Sequence, residues 1–484
     1  MLCVVEPQST GIGGDCFALY APASGPRAGE AIALNGSGRA PAAAQLDYFT
    51  QQGFSRIERH SPHAVTVPGA VEAWCRLSDD YGRQPLKALL QPAIDMAQSG
   101  YPIYPRVAAD WGKSVQALRH SPAATQTFLP GGAPPQVGQM HRQPLLASTL
   151  TAIAREGRDG FYRGERAQQM VSYLRELGGL HTLDDFATTA SEYVTPISTT
   201  YRGYQVFECP PNGQGLVALL MLNLLQGFDL PALDPYGPER YHLIAEAARL
   251  AYRDRDLYIA DPAKVSVPVE EILSSAYAEQ QRRHISPGKA MATLPPSQFP
   301  AHPDTVYLCV VDDEGNAISF INSVYHSFGS GLMCPNTGVV FQSRGAGFSL
   351  DPGHPNAIAP GKRPLHTIIP GMLFKDGQVV MPFGVMGGEF QPMGHALLLT
   401  NVLDYGMDIQ TALDCPRLFT GSSPICQLEA GISAETSRGL VVLGHQVQTV
   451  AMPLGGGQGI WIDRVTGLRT AGSDPRKDGC ALAQ

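Results

Sequence analysis

The dipeptide Asp304-Thr305 sits where a hydroxyl could do chemistry on its own backbone. Ser286 to Asp304 holds five prolines in nineteen residues, which excludes a helix or a central strand and predicts an exposed loop. The loop stops abruptly at Thr305. The following TVYLCVVDDEGNAISFINSV reads as a buried strand, an Asp-Glu-Gly-Asn turn and a second strand. A threonine opening a strand is ordinarily just a β-branched strand residue. Delivered by a long loop to the head of a buried hairpin, it has a second use. Its hydroxyl can attack the carbonyl of Asp304 to give an ester that water hydrolyses. The freed Thr305 would carry an α-amine of pKa about 7.7–8, able to act as general base for its own hydroxyl.

Other chemistries find less support. The sequence contains no G-x-S-x-G elbow and no H-E-x-x-H pair. His60 and His63 flank a proline and do not share a helical face. The Gly-rich GIGGD stretch (11–15) lacks the Walker lysine and a full G-x-G-x-x-G, so it reads as a tight turn before a strand. The nine cysteines form no C-x-x-C pair, which supports neither a zinc knuckle nor a disulfide framework and suits a reducing compartment.

The elements that must hold Thr305 follow from pattern and composition. Of 484 residues, 44% are hydrophobic and only 16% charged, with a formal net charge of −8. That permits a large core and offers nothing to nucleic acid or anionic membranes. With 52 glycines and 40 prolines, many tight turns between short strands are expected. No apolar run is long enough to span a bilayer, the best being Leu216 to Leu225. The start, MLCVVEPQST, lacks the basic and apolar regions of a secretory leader. A cytoplasmic protein is expected. Cys16 to Tyr20 and Tyr201 to Phe207 read as strands, and Val71 to Leu77, Leu86 to Ala97 and a segment near Gly394 to Asp404 as helices. Arg240 to Tyr258 reads as an amphipathic helix with its charges on the outer face.

The hairpin DTVYLCVVDDEGNAISF resembles the start of the small subunit of the γ-glutamyltransferases, N-terminal-nucleophile (Ntn) hydrolases. The resemblance continues, in order, through TPISTTYRGYQVFECPP (195–211), FGSG (328–331), PNAIAPGKRPLHTIIPGM (355–372), GVMGGEF (384–390), DCPRLF (414–419) and AGSDPRKDG (471–479). It implies an α/β fold, a four-layer αββα sandwich made as a single large domain. It implies cleavage between Asp304 and Thr305 into a large chain, 1–304, and a small chain, 305–484. Thr305 matches the nucleophile, and Ser323 the hydroxyl residue that hydrogen-bonds it. Gly387 and Gly388 match the pair whose backbone amides form the oxyanion hole. Neither a metal nor an organic cofactor is implied. The implied partners are a small-molecule amide and the two cleaved chains as a heterodimer, with a dimer of heterodimers allowed.

The departures from the family pattern narrow the substrate. Ser37 stands at the aligned place of the glutamate-binding arginine, and Gly347 replaces the acid that holds the glutamate amine. The Ser-Ser pair becomes His366-Thr367, and an asparagine becomes Tyr325. The stretch Phe348 to Arg363 leaves no room for the substrate-covering loop. Losing both charge clamps disfavours a γ-glutamyl substrate. The changes look like the oxamate amidohydrolase branch, whose small anionic amide needs one cation. Arg344 is the first choice for it, with Arg39 and His366 second. The alternatives are a γ-glutamyl hydrolase or transferase, a glutaryl- or cephalosporin-type acylase, and a non-catalytic binding relative. The resemblance also implies that the chain begins inside the first strand.

Overall fold

The computed structural model describes residues 1–294, 304–423 and 425–483, the Asp304 side chain excepted. Two antiparallel sheets stack face to face. The first runs, edge to edge, Glu192–Val194, Ile32–Gly36, Asp15–Ala21, Ala317–Tyr325, Asp304–Val311. The second runs Arg469–Ser473, Gly456–Ile462, Gln378–Met386, Gly371–Lys375, Tyr204–Glu208, Ile197–Tyr201.

Strand alternation builds the layers. In Asp15–Ala21 the odd positions Phe17, Leu19 and Ala21 point at the second sheet and meet Tyr307, Ile321, Met372, Phe374 and Met386. Cys16 and Ala18 point the other way, onto Ala70 and Ala73 of the helix Ala70–Tyr81. On the far side of the second sheet, Val206, Leu373, Phe383 and Val385 pack under the helices Gly215–Leu225, Pro238–Tyr258 and Gln391–Leu403. Helix, sheet, sheet and helix follow one another, which is the αββα sandwich expected. The apolar run near 216–225 is its most buried helix, and no helix among the described residues is long and apolar enough to cross a membrane.

Several expectations need correction. Residues 2–5 are a helical turn, not strand, and the first strand begins at Asp15. Tyr201 to Phe207 is not one strand but a hairpin, Ile197–Tyr201 and Tyr204–Glu208, turning through Arg202 (φ 50°) and Gly203 (φ 78°). The helix Pro238–Tyr258 keeps no charged outer face. Arg240, Glu246, Arg249, Asp254 and Arg255 are all buried, because helices and the 286–291 segment cover it on several sides. Residues 295–303 of the proline-rich loop lie outside the described residues. All nine cysteines are free.

The two sheets come into close contact at Gly384, where a Cβ would lie 2.3 Å from Tyr307 Cε2. That ring is buried, and its hydroxyl shares a 2.9 Å hydrogen bond with Ser319, which itself donates to Phe383 O across the sheets. A side chain at 384 must therefore push the sheets apart. Gly384→Val should lower stability by about 1–3 kcal/mol, read as a lower urea midpoint. An unchanged midpoint would mean that the sheets are not in fixed register there.

Candidate active site

The strand pair that carries Thr305 is irregular at Thr305. Register passes from Asp304↔Tyr325 to Val306↔Asn322, so Ser323 and Val324 oppose the single Thr305. Such a bulge re-aims a side chain. Here the Thr305 hydroxyl donates to Ser323 Oγ at 3.2 Å, with both residues buried. Ser323 Oγ also accepts from the Tyr325 backbone N–H at 2.9 Å. Tyr325 itself has φ 78°, a left-handed conformation costly for an aromatic residue and concentrated at functional sites. Behind this point the GIGGD turn presses on the strand: a Cβ on Gly14 would lie 2.2 Å from Ser323 O. The turn is thus packing, as its sequence suggests.

Arg344 comes to the same point from a short helical turn, Arg344–Gly347. It is fully buried, donates to Thr367 Oγ1 at 2.8 Å and reaches Ser323 Oγ at 3.4 Å. Its guanidinium carbon stands 4.1 Å from the centre of the Tyr325 ring. Among the described residues it makes no ion pair, and its Nε has no hydrogen-bond partner. Burial lowers its pKa to about 10, against the nearby Tyr325 and Asp15, which leaves it a cation at neutral pH. Burial likewise pushes the Tyr325 phenol up to about 12. A Cβ built on Gly347 would meet no atom within 4 Å beyond its chain neighbours, so open space adjoins this turn.

The glycine pair ends the strand Gln378–Met386 and takes positive φ at both residues, 119° at Gly387 and 57° at Gly388. A Cβ on Gly387 would lie 2.8 Å from Gly455 Cα, so only glycine fits the turn. Gln214 holds it in place, one amide nitrogen donating to Gly388 O at 2.8 Å and to Thr367 O at 2.7 Å. Gln214 therefore couples the glycine turn to the Arg344 contact.

The remaining expected residues are placed as follows. His366 Nε2 bonds Asp15 Oδ2 at 3.1 Å, while its Nδ1 accepts from the Ile368 N–H. Burial, then Arg344, lower its pKa to about 4, so it is a neutral support for Thr367 and no second cation. Arg39 is drawn off to Glu192 at 2.7 Å and Asp261 at 3.6 Å, away from the Thr305 cluster. Sequence reasoning missed Asp15, Gln214 and Glu389. Glu389 follows the glycine pair directly, is nearly fully buried, and lies 3.8 Å from Arg255. Burial raises its pKa to about 7, against Arg255.

A family model described as gamma-glutamyltranspeptidase matches residues 1–484. The chain is 37% identical to the glutathione hydrolase-like YwrD proenzyme of Bacillus subtilis, over 99% of this chain and 91% of that protein. It is 35% identical to the oxamate amidohydrolase proenzyme of Klebsiella pneumoniae, again over 99% and 91%. Among solved structures, a cephalosporin acylase from Bacillus halodurans superimposes with a TM-score of 0.94 at 41% identity, covering all of this chain and 89% of that one.

The raised Glu389 pKa fixes the sign of one pH effect. A carboxyl that holds its proton more tightly when folded favours the folded state below about pH 4.5 and loses that contribution as pH rises through about 7. Glu389→Gln, which cannot ionise, should gain stability relative to wild type between pH 5 and pH 8, by on the order of 2–3 kcal/mol. Urea unfolding at the two pH values checks this, and a difference independent of pH would refute it.

Proposed function

The chain belongs to the gamma-glutamyltranspeptidase family, and we propose that it is a self-processing N-terminal-threonine amidohydrolase acting on a small carboxamide that bears a carboxylate, best fitted by oxamate giving oxalate and ammonia. The observation that carries this reading is Arg344, a buried guanidinium beside Thr305 and Ser323 that forms no ion pair with a carboxylate among the described residues. A buried cation without a counter-charge is expensive unless an anion arrives. An Arg fork suits a carboxylate.

Processing starts with Thr305 Oγ attacking the Asp304 carbonyl. The amide nitrogen leaves as the new α-amine, and water hydrolyses the resulting ester. In turnover the same Oγ attacks the substrate amide, and the α-amine takes its proton and passes it to the departing ammonia. Water, activated by the same amine, then releases the acid. The Gly387 and Gly388 N–H groups are assigned to the developing oxyanion, where one fixed donor contributes about 3 kcal/mol. Gly347, in place of an acid, leaves a substrate amine without a partner, which argues against a γ-glutamyl group. The similarity to a cephalosporin acylase and the space at Gly347 favour, as a second reading, a longer acyl chain ending in a carboxylate, such as glutaryl.

Two experiments test these steps. Scaling 51.8 kDa by 304/484 and 180/484 gives expected fragments of about 33 and 19 kDa for wild type, against one intact chain for Thr305→Ala. Intact chains in both would favour a non-catalytic relative. Separately, Arg344→Gln should lower kcat/KM for oxamate by about 100-fold or more while leaving a neutral amide such as acetamide at its low wild-type rate. Ammonia from oxamate supports the first reading and turnover of glutaryl anilide alone the second. Cleavage of γ-glutamyl anilide alone would overturn both.

A further inference from the structure

Away from Thr305, two histidines and a glutamate converge from distant parts of the chain. His242 and Glu246 lie one turn apart on the helix Pro238–Tyr258, and His445 precedes the strand Gln446–Thr449. All three are buried, and their ligating atoms lie within 4.8 Å of one another. His242 Nδ1 and His445 Nε2 face each other at 2.7 Å.

The surroundings fix how these groups present themselves. His242 Nε2 meets the Ser286 carbonyl oxygen at 2.7 Å. A carbonyl only accepts, so Nε2 carries the proton and Nδ1 turns a lone pair toward His445. The other nitrogen of His445, Nδ1, meets Cys426 Sγ at 3.5 Å. Each imidazole therefore has its outer nitrogen engaged by an oxygen or sulfur, the arrangement found behind metal-ligating histidines. Glu246 is oriented too, accepting from the Met291 N–H at 2.7 Å and from Arg249 at 2.8 Å. Each of its oxygens keeps a further lone pair.

We propose that His242 Nδ1, His445 Nε2 and a Glu246 carboxylate oxygen bind one divalent first-row transition ion, Zn²⁺ foremost. Two imidazoles and a carboxylate suit zinc, with water in the fourth position. Tetrahedral zinc spaces its ligand atoms about 3.3 Å apart, so the two ring nitrogens part by roughly half an ångström on binding. Position gives the site its meaning. His242 and Glu246 precede Thr305 in the chain and His445 follows it. Ser286 and Met291 open the proline-rich segment that leads to Asp304, and Ala290 is pinned alongside by its N–H to Leu443 O at 2.7 Å. The ion ties the root of that segment to the part of the chain beyond Thr305. The rival account is a plain N–H···N hydrogen bond between the two histidines.

Tag-free protein loaded with zinc sulfate and then dialysed against metal-free buffer decides between them. Elemental analysis should find about one zinc per chain in wild type and less than about a tenth of that in His445→Gln. Zinc should raise the melting temperature of wild type only. Failure of wild type to retain zinc, or equal retention by the variant, overturns the site. Should the variant not fold, cobalt(II) on wild type gives the answer. Two exchangeable, paramagnetically shifted imidazole N–H proton resonances, from His242 and His445, support the site, and their absence leaves the hydrogen-bonded pair.

Discussion

The buried carboxylate of Asp15 is the interaction on which the site depends. Its oxygens accept from the backbone N–H groups of Gly38 and Gly69 at 2.9 and 3.1 Å, from Gln342 at 2.8 Å and from His366 at 3.1 Å. Four separate segments thus end on one charge. Burying a carboxylate is tolerable only with such a set of donors. Asp15 is also the register partner of Ser323, so the same residue fixes the strand that carries the hydrogen-bond partner of the Thr305 hydroxyl. Through His366 it sets the adjacent Thr367, which receives Arg344.

That arrangement accounts for a buried cation that stays charged. The Asp15 field supports the positive form of Arg344 without a direct pair between them. A direct ion pair would cancel the positive field of the guanidinium, whereas an offset carboxylate leaves that field in place. On the other flank, Arg255 lies beside Glu389 and donates to Gln214, which in turn grips Gly388 and Thr367. The glycine turn and the arginine are therefore positioned by one hydrogen-bonded chain, and neither can shift alone.

Much of this was legible in the sequence. The hairpin after Thr305 announces itself by its alternation and turn, and the proline-rich segment by its composition. The Gly387-Gly388 pair and Arg344 were found only through ordered resemblance, since a Gly-Gly or a lone Arg carries no local signal. Asp15 was hidden inside GIGGD, where the glycines explain the turn and nothing marks the carboxylate as buried. Gln214 and Glu389 act through partners from 41 to 174 residues away, beyond any spacing rule. Tyr201 to Phe207 read as one strand because its turn, Arg202-Gly203, lacks the Asn or Asp usual before glycine in a tight hairpin. The helix Pro238–Tyr258 looked amphipathic because charge pattern cannot reveal how many neighbours cover a helix.

In each central sheet the strands from before residue 305 lie together and those from after it lie together. They are joined by one seam: Asp15–Ala21 with Ala317–Tyr325 in one sheet, Tyr204–Glu208 with Gly371–Lys375 in the other. While the backbone is continuous, both seams close as a first-order event at the high effective concentration of a single chain. A nick at 304–305 would change the order of the reaction. The nicked protein, once unfolded, must find its other half by diffusion, with two unsatisfied sheet edges exposed meanwhile. Its endurance is then a matter of unfolding rate rather than equilibrium. Such a molecule keeps a shape it learned as one chain and could not readily relearn as two.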